Sequence, residues 1–206
     1  MLQSFFDPRT VAVIGASRDT DKLGYAVVRN LVDSGFTTDH SVYPINPKAD
    51  EIAGLKCYAS VADVPGSIDL AVVVIPYKYV PQALDDCGKK GVPAAVVITA
   101  GFREAGKDGL ERERELLAIA RSYNMRVIGP NCLGVIDTFT PLNASFAAGT
   151  PPCGPINFMS QSGALGTAIL DWALAGRMGF SKFVSLGNKA DISEIELLEA
   201  WSEDAN

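Results

Sequence analysis

The runs LAVVVI (residues 70–75) and AAVVIT (residues 94–99) decide the fold of this chain. Both are continuous stretches of apolar, mostly β-branched residues, whereas a strand with one face in water would alternate apolar and polar side chains. Helices are therefore expected on both faces of the sheet, as in a parallel, doubly wound α/β fold. We predict further strands of this sheet at residues 11–14, 42–45 and 126–128, and helices at residues 24–34, 80–90 and 109–123.

The pattern changes after this first unit. Residues 136–154 are rich in turn formers and lack helical periodicity, which predicts a linker or a short hairpin. Strands at 156–159 and 180–185 then alternate with helices at 164–177 and 192–201. This stretch is shorter than the roughly 100 residues that an α/β domain commonly needs. We therefore predict a first domain at 1–135, the linker or hairpin at 136–154, and the incomplete start of a second domain at 155–206.

Composition and charge limit the class of protein. The chain has 206 residues, of which 48% are hydrophobic and 20% charged, as in ordinary globular proteins. Its formal net charge of -6 argues against a general nucleic-acid binder. No membrane span or secretory signal is visible, so we expect a cytoplasmic protein with no membrane partner. The four cysteines are widely spaced, which predicts neither a metal site nor a disulfide framework.

The first strand leads into a loop and a helix start, VAVIGASRDTDKLGYAV (residues 11–27). This arrangement brings backbone amides close to a nucleotide phosphate. The glycines do not match the dinucleotide fingerprint, because the next glycine after Gly15 is Gly24. A plain connection between strand and helix is the alternative. The polar loop favours phosphate binding, by Gly15, Ala16, Ser17, Lys22 and Gly24.

The second strand ends in YPINPK (residues 43–48). An NAD-binding domain usually places an Asp or Glu here, to accept hydrogen bonds from the ribose. A lysine and an asparagine suit an anion instead, such as a phosphate group. We predict this role for Lys48, beside Asn46 and Pro47. The alternative is an ordinary exposed lysine after a turn.

RVIGPNCLGVID (residues 126–137) is another strand end that leads into a polar loop, with Asn131 and Cys132 after a proline. A nucleophilic cysteine needs a nearby base or cation. The single histidine, His40, precedes the second strand. We therefore expect Cys132 to be structural, with a nucleophile as the less favoured alternative, and we predict no catalytic residue in this chain.

FMSQSGALGTAI (residues 158–169) places a serine-rich loop at the start of a predicted helix. Free backbone N–H groups and the helix dipole attract anions there. A Ser-x-Ser-Gly turn is also a plain helix cap. The motif alone favours the plain cap, and phosphate binding is favoured only in combination with SLGNKADI (residues 185–192); the candidate phosphate ligands are then Ser160, Gln161, Ser162 and Gly163.

In order and over nearly the whole chain, these motifs resemble the α subunits or α-type domains of NDP-forming acyl-CoA synthetases, the superfamily that includes succinyl-CoA synthetase. ITAGFREAG (residues 98–106) and SLGNKADI (residues 185–192) extend the resemblance. It implies a Rossmann-like coenzyme A domain followed by the start of a flavodoxin-like ligase domain that binds phosphate. Succinyl-CoA synthetases carry an acidic residue where this chain has Ala100, which favours the acetyl- or acyl-CoA branch. Besides the two loops above, in which Lys48 would meet the 3′-phosphate, the implied coenzyme A contacts are Ile75, Pro76, Thr99, Ala100, Gly101, Asn131 and Cys132, the last two at the thiol end of the ligand.

By this resemblance, the complete enzyme interconverts acyl-CoA, ADP and phosphate with free acid, coenzyme A and ATP. That reaction uses Mg²⁺ and an ATP-grasp subunit or domain, which these residues lack. The sequence leaves the oligomeric state open, with a homo- or hetero-oligomer as the possibilities. The family's phosphorylated histidine has no counterpart after residue 41. We therefore expect this chain alone to be inactive. Two alternatives are an acyl-CoA-sensing module of a protein acetyltransferase and, less favoured, an NAD-binding redox protein.

Overall fold

Residues 2–204 are described by the structure, a computed structural model. Their β-strands are β1 Thr10–Ile14, β2 Ser41–Ile45, β3 Glu51–Ile52, β4 Leu55–Lys56, β5 Leu70–Val73, β6 Ala94–Val97, β7 Arg126–Ile128, β8 Gly134–Asp137, β9 Leu142–Ser145, β10 Cys153–Ser160 and β11 Phe180–Ser185. Their α-helices are α1 Leu23–Asp33, α2 Val80–Lys90, α3 Lys107–Ser122, α4 Gly163–Gly176 and α5 Glu194–Ser202. Among these helices, none combines the length and apolar character that crossing a bilayer requires.

The first sheet has five parallel strands in the order β2-β1-β5-β6-β7, which confirms the predicted doubly wound α/β class. Counted along this sheet alone, the order is 2-1-3-4-5. The chain therefore moves outward in one direction from β1 to β2 and in the other from β5 onward. Loops that follow the two strands at such a switch point separate and leave a crevice at their carboxyl ends.

Helices cover both faces of this sheet, as the continuous apolar runs predicted. Every residue of β5 and β6 is buried. Val11 and Val13 pack on one side with Leu31 of α1. Ala71 and Val73 pack on the other side with α2 and α3, and α2 begins and ends at its predicted residues.

The second sheet has the order β10-β11-β8-β9, in which β10 and β11 are parallel and the other pairs antiparallel. Strands β8 and β9 form a hairpin within or next to the segment 136–154. Sequence reasoning did not show that this hairpin joins the second sheet. The apolar cluster around α1 continues into Val135 and Leu142, and the Asn30 amide donates to the backbone oxygens of Ser145 and Ala147 at 2.8 and 2.9 Å.

Several element ends differ from the prediction for local reasons. The predicted strand 70–75 ends at Val73; Val74 still donates to the carbonyl of Ile14 at 2.8 Å, and Val74 and Ile75 line a cavity. Helix α5 begins at Glu194 rather than at residue 192. Ser193 caps it, since its hydroxyl accepts from the N–H of Glu196 while the Glu196 carboxylate accepts from the N–H of Ser193.

Candidate functional site

A cavity of about 720 Å³, here called the main cavity, lies at the carboxyl ends of β1, β2 and β5. This is the switch point of the first sheet. Apolar side chains of Ile14, Ile45, Val61 and Ile75 form much of its wall. Of the predicted site residues, it is lined by Gly15, Ala16, Ser17, Lys22, Gly24, Asn46, Pro47, Ile75 and Pro76.

The loop between β1 and α1 is held by its own polar side chains. The Ser17 hydroxyl accepts a hydrogen bond from the N–H of Asp19 at 3.0 Å, and the Asp19 carboxylate accepts from the N–H of Asp21 at 3.1 Å. Gly15 has a φ of 92°, in the region that favours glycine. A Cβ atom on Gly24 would overlap the backbone of Gly15. The two glycines therefore let the loop and the helix start lie against each other, beside the cavity.

Asn46 and Lys48, both predicted to contact an anion, form contacts within the protein that the sequence did not predict. The Asn46 amide donates to the carbonyl of Ala16 at 2.8 Å and accepts from the N–H of Lys48 at 2.8 Å. Asn46 therefore braces two loops, a structural role that the sequence analysis did not predict. Lys48 is exposed and lies outside the residues that line the main cavity, and its carbonyl accepts from the guanidinium of Arg18 at 3.2 Å. Arg18, which sequence reasoning missed, thus lies beside Lys48.

A second cavity of about 510 Å³ adjoins the main one. Leu23, Val74 and Ile75 line both. Strand ends of the first sheet meet the loop before α4 here, so four motifs that are far apart in sequence lie together. Of the predicted residues, the second cavity is lined by Ile75, Thr99, Ala100, Asn131, Cys132, Gln161 and Gly163.

Thr99 and Gly101 shape the loop after β6. The Thr99 hydroxyl donates to the carbonyl of Ile75 at 2.7 Å, which ties two strand ends together. Gly101 has a φ of 110°, and a Cβ there would lie 2.7 Å from the ring of Tyr77. The guanidinium of Arg112 stacks over that ring and donates to the carbonyl of Gly101 at 2.9 Å. Gly101 therefore packs behind the site rather than lining either cavity.

Cys132 lies in the wall of the second cavity as a buried thiol. Burial raises the pKa of the Cys132 thiol to about 12, and its sulfur lies 3.3 Å from the carbonyl oxygen of Val97. His40 stacks on Phe36, with ring centroids 4.5 Å apart, at the amino end of β2. The cavities lie at the carboxyl ends, so this histidine is at the opposite edge of the sheet. In the part of the chain from 2 to 204, no cluster of His, Cys, Asp or Glu has the arrangement of a metal site.

The serine-rich loop caps α4. The Ser162 hydroxyl accepts from the N–H of Leu165 at 3.2 Å, and the Ser160 hydroxyl accepts from the N–H of Ser162 at 3.1 Å. Both serines therefore shape the turn and do not line the second cavity, whereas Gln161 and Gly163 do. The first N–H groups of a helix have no acceptor within it. Gly163 and Ala164, which contribute two of them, line this cavity.

Sequence reasoning missed one face of α2 and the turn before it. Tyr79, Ala83 and Asp86 line the main cavity. Their spacing of four and then three residues places them on one side of a helix. The spacing, with a small residue and an acid on one helix face, could have indicated from the sequence that this face lines the cavity.

A polar cluster behind the second cavity was also missed. Asn188, in the loop after β11, is 7% exposed. Its side-chain N–H groups donate to the carboxylates of Glu104 at 2.6 Å and Glu113 at 2.8 Å, and its side-chain oxygen accepts from Asn131 at 3.3 Å. Desolvation raises the pKa of Glu104, but the bonds from Asn188 and from the N–H groups of Gly101 and Phe102 outweigh it, so that pKa is lowered overall.

Comparisons with known proteins agree with this geometry. Residues 9–138 match the CoA binding domain family, and residues 153–206 match the succinyl-CoA ligase like flavodoxin domain. The chain is 54% identical, over 96% of its length, to an ADP-forming acetate–CoA ligase of Methanocaldococcus jannaschii. It is 48% identical, over 97% of its length, to the α subunit of ADP-forming acetate–CoA ligase II of Pyrococcus furiosus.

A solved structure is similarly close. It is an acetyl-coenzyme A synthetase of Ca. Korarchaeum cryptofilum in complex with phosphate and ADP, with a TM-score of 0.95, 46% identity and all of this chain covered. The chain spans only 27% of the M. jannaschii enzyme, 43% of the P. furiosus α subunit and 43% of the Korarchaeum chain. Its first unit belongs to the CoA-binding domain family, and with its second, succinyl-CoA ligase-like unit it matches the coenzyme A-binding part of an NDP-forming acyl-CoA synthetase.

Proposed function

We propose that the two cavities together hold coenzyme A, with the nucleotide half in the main cavity and the pantetheine arm in the second. The observation that carries this proposal is their junction along Leu23, Val74 and Ile75. A glycine-marked loop that suits phosphates lies at one end of the joined space. Asn131 and the buried thiol of Cys132 lie at the other.

The residues present fit this ligand. Each cavity is within the 300–1,000 Å³ that is usual for small-molecule sites, and the main one is lined largely by apolar groups that suit a purine. Lys22 lies in its wall, and Arg18 and Lys48 lie next to each other beside it, so these loops bring three positive charges to the place where the ligand's phosphates would lie. Asn46 acts on the ligand only indirectly in this proposal, through the loop that it braces.

The start of α4 is our proposed phosphate site. Support comes from the helix N–H groups of Gly163 and Ala164 at the second cavity, since such groups and the dipole favour an anion. Lys189, paired with Glu194 at 2.8 Å, brings a positive charge close to Gln161, whose amide donates to the same carboxylate at 2.9 Å. Ser160 and Ser162 then contribute by shaping the turn.

For the complete protein we propose an ADP-forming acyl-CoA synthetase that is cytoplasmic and uses ATP and Mg²⁺. The P. furiosus relative is named as an α subunit, which supports a second, ATP-grasp subunit or domain. Leu165, Trp172, Ile195 and Leu198 expose apolar surface on α4 and α5, which supports contact with further protein there. We also propose the division of the chain into a coenzyme A-binding domain at 1–135, a linker or hairpin at 136–154 and the start of a second domain at 155–206.

We expect the chain to bind coenzyme A about 10-fold or more tightly than dephospho-coenzyme A. A charge-assisted contact to the 3′-phosphate by Lys48 is worth about 1.5–3 kcal/mol. Lys48→Ala is expected to remove most of this difference, whereas Lys107→Ala, at an exposed lysine at the start of α3, leaves it unchanged. Calorimetric titration of both ligands into the three proteins measures it. Equal affinities in the wild type, or a Lys48 variant that still discriminates, would contradict the role of Lys48.

We expect no saturable binding of NADH at low micromolar concentration. The position where an NAD site has a ribose-binding acid carries Asn46, whose amide is bonded to Ala16 and Lys48. Fluorescence titration of NADH tests this, with coenzyme A as competitor. Enhancement that saturates and is not displaced by coenzyme A would favour a dehydrogenase or a redox sensor instead.

A further inference from the structure

The buried amide of Asn188 fixes the direction in which a neighbouring amide presents its hydrogen-bonding groups. Its two side-chain N–H groups face carboxylate oxygens of Glu104 and Glu113, at 2.6 and 2.8 Å. Ionised carboxylates only accept hydrogen bonds, so only the NH₂ end of an amide can face both of them. The carbonyl oxygen of Asn188 must therefore point the other way, toward Asn131.

The orientation of the Asn188 amide sets that of the Asn131 amide. The side-chain NH₂ group of Asn131 donates to the Asn188 oxygen at 3.3 Å. The carbonyl oxygen of the Asn131 amide has no hydrogen-bond donor among residues 2–204. Since Asn131 lines the second cavity, an acceptor is kept for whatever occupies that cavity.

The backbone holds the two residues in register. The N–H of Asn188 donates to the carbonyl of Pro130 at 2.8 Å, and the guanidinium of Arg103 donates to the carbonyl of Asn188. A Cβ on Gly187 would overlap the backbone of Pro130 and Asn131, so the two loops are in direct contact. Asn131 itself has a φ of 58°, and its N–H donates to the carbonyl of Thr99 at 3.0 Å.

We propose that Asn188 is a positioning residue: held by Glu104 and Glu113, it orients the Asn131 amide so that its carbonyl oxygen accepts a hydrogen bond from an N–H or S–H group at the pantetheine end of the ligand. This inference rests on the proposed coenzyme A site and adds a residue from the second sheet to it. The inference also predicts selectivity, because the site then favours a ligand that donates a hydrogen bond to Asn131 over one that only accepts hydrogen bonds.

The experiment compares coenzyme A with adenosine 3′,5′-bisphosphate, the nucleotide half alone. Asn188→Ala is expected to weaken coenzyme A about 5-fold, as the loss of one hydrogen bond does, and to leave the bisphosphate within about twofold of wild type. In an Asn131→Ala background, Asn188→Ala should have no further effect on coenzyme A affinity. Asn143→Ala is the matched control, since this asparagine is 0% exposed and hydrogen-bonded in the second sheet but does not line either cavity.

Glu104→Gln keeps the shape of the cluster and serves if Asn188→Ala does not fold. The new amide can keep the bonds from Gly101 and Phe102 while its NH₂ group opposes that of Asn188, so Asn188 loses one of the two acceptors that set its orientation and only Glu113 still holds it. The same selective loss for coenzyme A is expected. Equal losses for both ligands, or unchanged coenzyme A affinity in both variants, would overturn the positioning role and leave the coenzyme A site standing. A wild type that binds neither ligand would overturn the site and this inference together.

Discussion

Replacing Lys182 by methionine is expected to lower the free energy of unfolding by about 3–5 kcal/mol at pH 7, because it leaves a buried carboxylate without its partner. Lys182, in β11, is 2% exposed, and its ammonium lies 3.3 Å from Asp137 and 2.7 Å from Asp204. Methionine has a similar length and fills the same space. Urea unfolding of both proteins measures the difference.

The difference in the free energy of unfolding between wild type and Lys182→Met should decrease as the pH falls. Desolvation already raises the pKa of Asp137, although Lys182 opposes that rise. A carboxyl whose pKa is raised by folding loses stability as the pH rises through that folded pKa, since its ionised form is the unfavourable one. Without Lys182 the pKa of Asp137 rises further. Protonation of Asp137 at pH 4 to 5 therefore stabilises the variant more than the wild type.

Two further proteins test this explanation. Lys182→Met combined with Asp137→Asn removes both charges, and should recover part of the lost stability at pH 7. Lys89→Met removes the lysine of an exposed ion pair with Asp85, at 2.6 Å on α2, and should have little effect at any pH. A Lys182→Met loss that is the same at every pH, or a double variant no better than the single one, would contradict it.

Gly24→Ala is expected to cost about 1–3 kcal/mol of stability and to reduce coenzyme A affinity at least 10-fold. A Cβ there would overlap the backbone oxygen and carbon of Gly15, and backbone atoms cannot rotate out of the way as a side chain does. Either α1 or the loop after β1 must move, and both line the main cavity. Thermal unfolding and calorimetric titration report the two effects.

The control for this prediction is Gly176→Ala. Gly176 is the last residue of α4, and a Cβ there meets no atom within 4 Å. Alanine is favoured over glycine in a helix by about 0.5–1 kcal/mol, so this variant should be as stable as the wild type or slightly more so. If Gly24→Ala is equally harmless, the close approach of helix and loop is not what shapes the cavity.

Most of the fold could be predicted because its cause is local. A run such as LAVVVI carries its own evidence, since burial on both faces removes the alternation that a half-exposed strand shows. The hairpin of β8 and β9 could not be placed, because its hydrogen-bond partner β11 lies more than forty residues away and no local pattern names it. Ser193, by contrast, is a local cap that could have placed the start of α5, but the prediction began that helix at residue 192.

The candidate site divides in the same way. Gly15, Lys22, Asn131 and Gln161 were chosen from motifs, and each lines one of the two cavities. Lys48 was chosen from its place after a strand, yet it lies beside the main cavity rather than in its wall. The side chain of Asn46 was assigned to an anion, and its amide also forms two hydrogen bonds that the sequence did not predict, to Ala16 and Lys48. A motif identifies a loop, but it does not say where each polar atom points.

By itself, the sequence determined the doubly wound parallel sheet, the family resemblance and the loops that carry the site, since these follow from side-chain periodicity and from motifs read along the chain. Only the tertiary structure decided the strand order, the joining of the two cavities and the contact of Asn188 with Asn131, 57 residues apart. Strand order depends on which strands pair, and the orientation of an amide depends on the groups that surround it in space. Neither is encoded in the neighbouring residues.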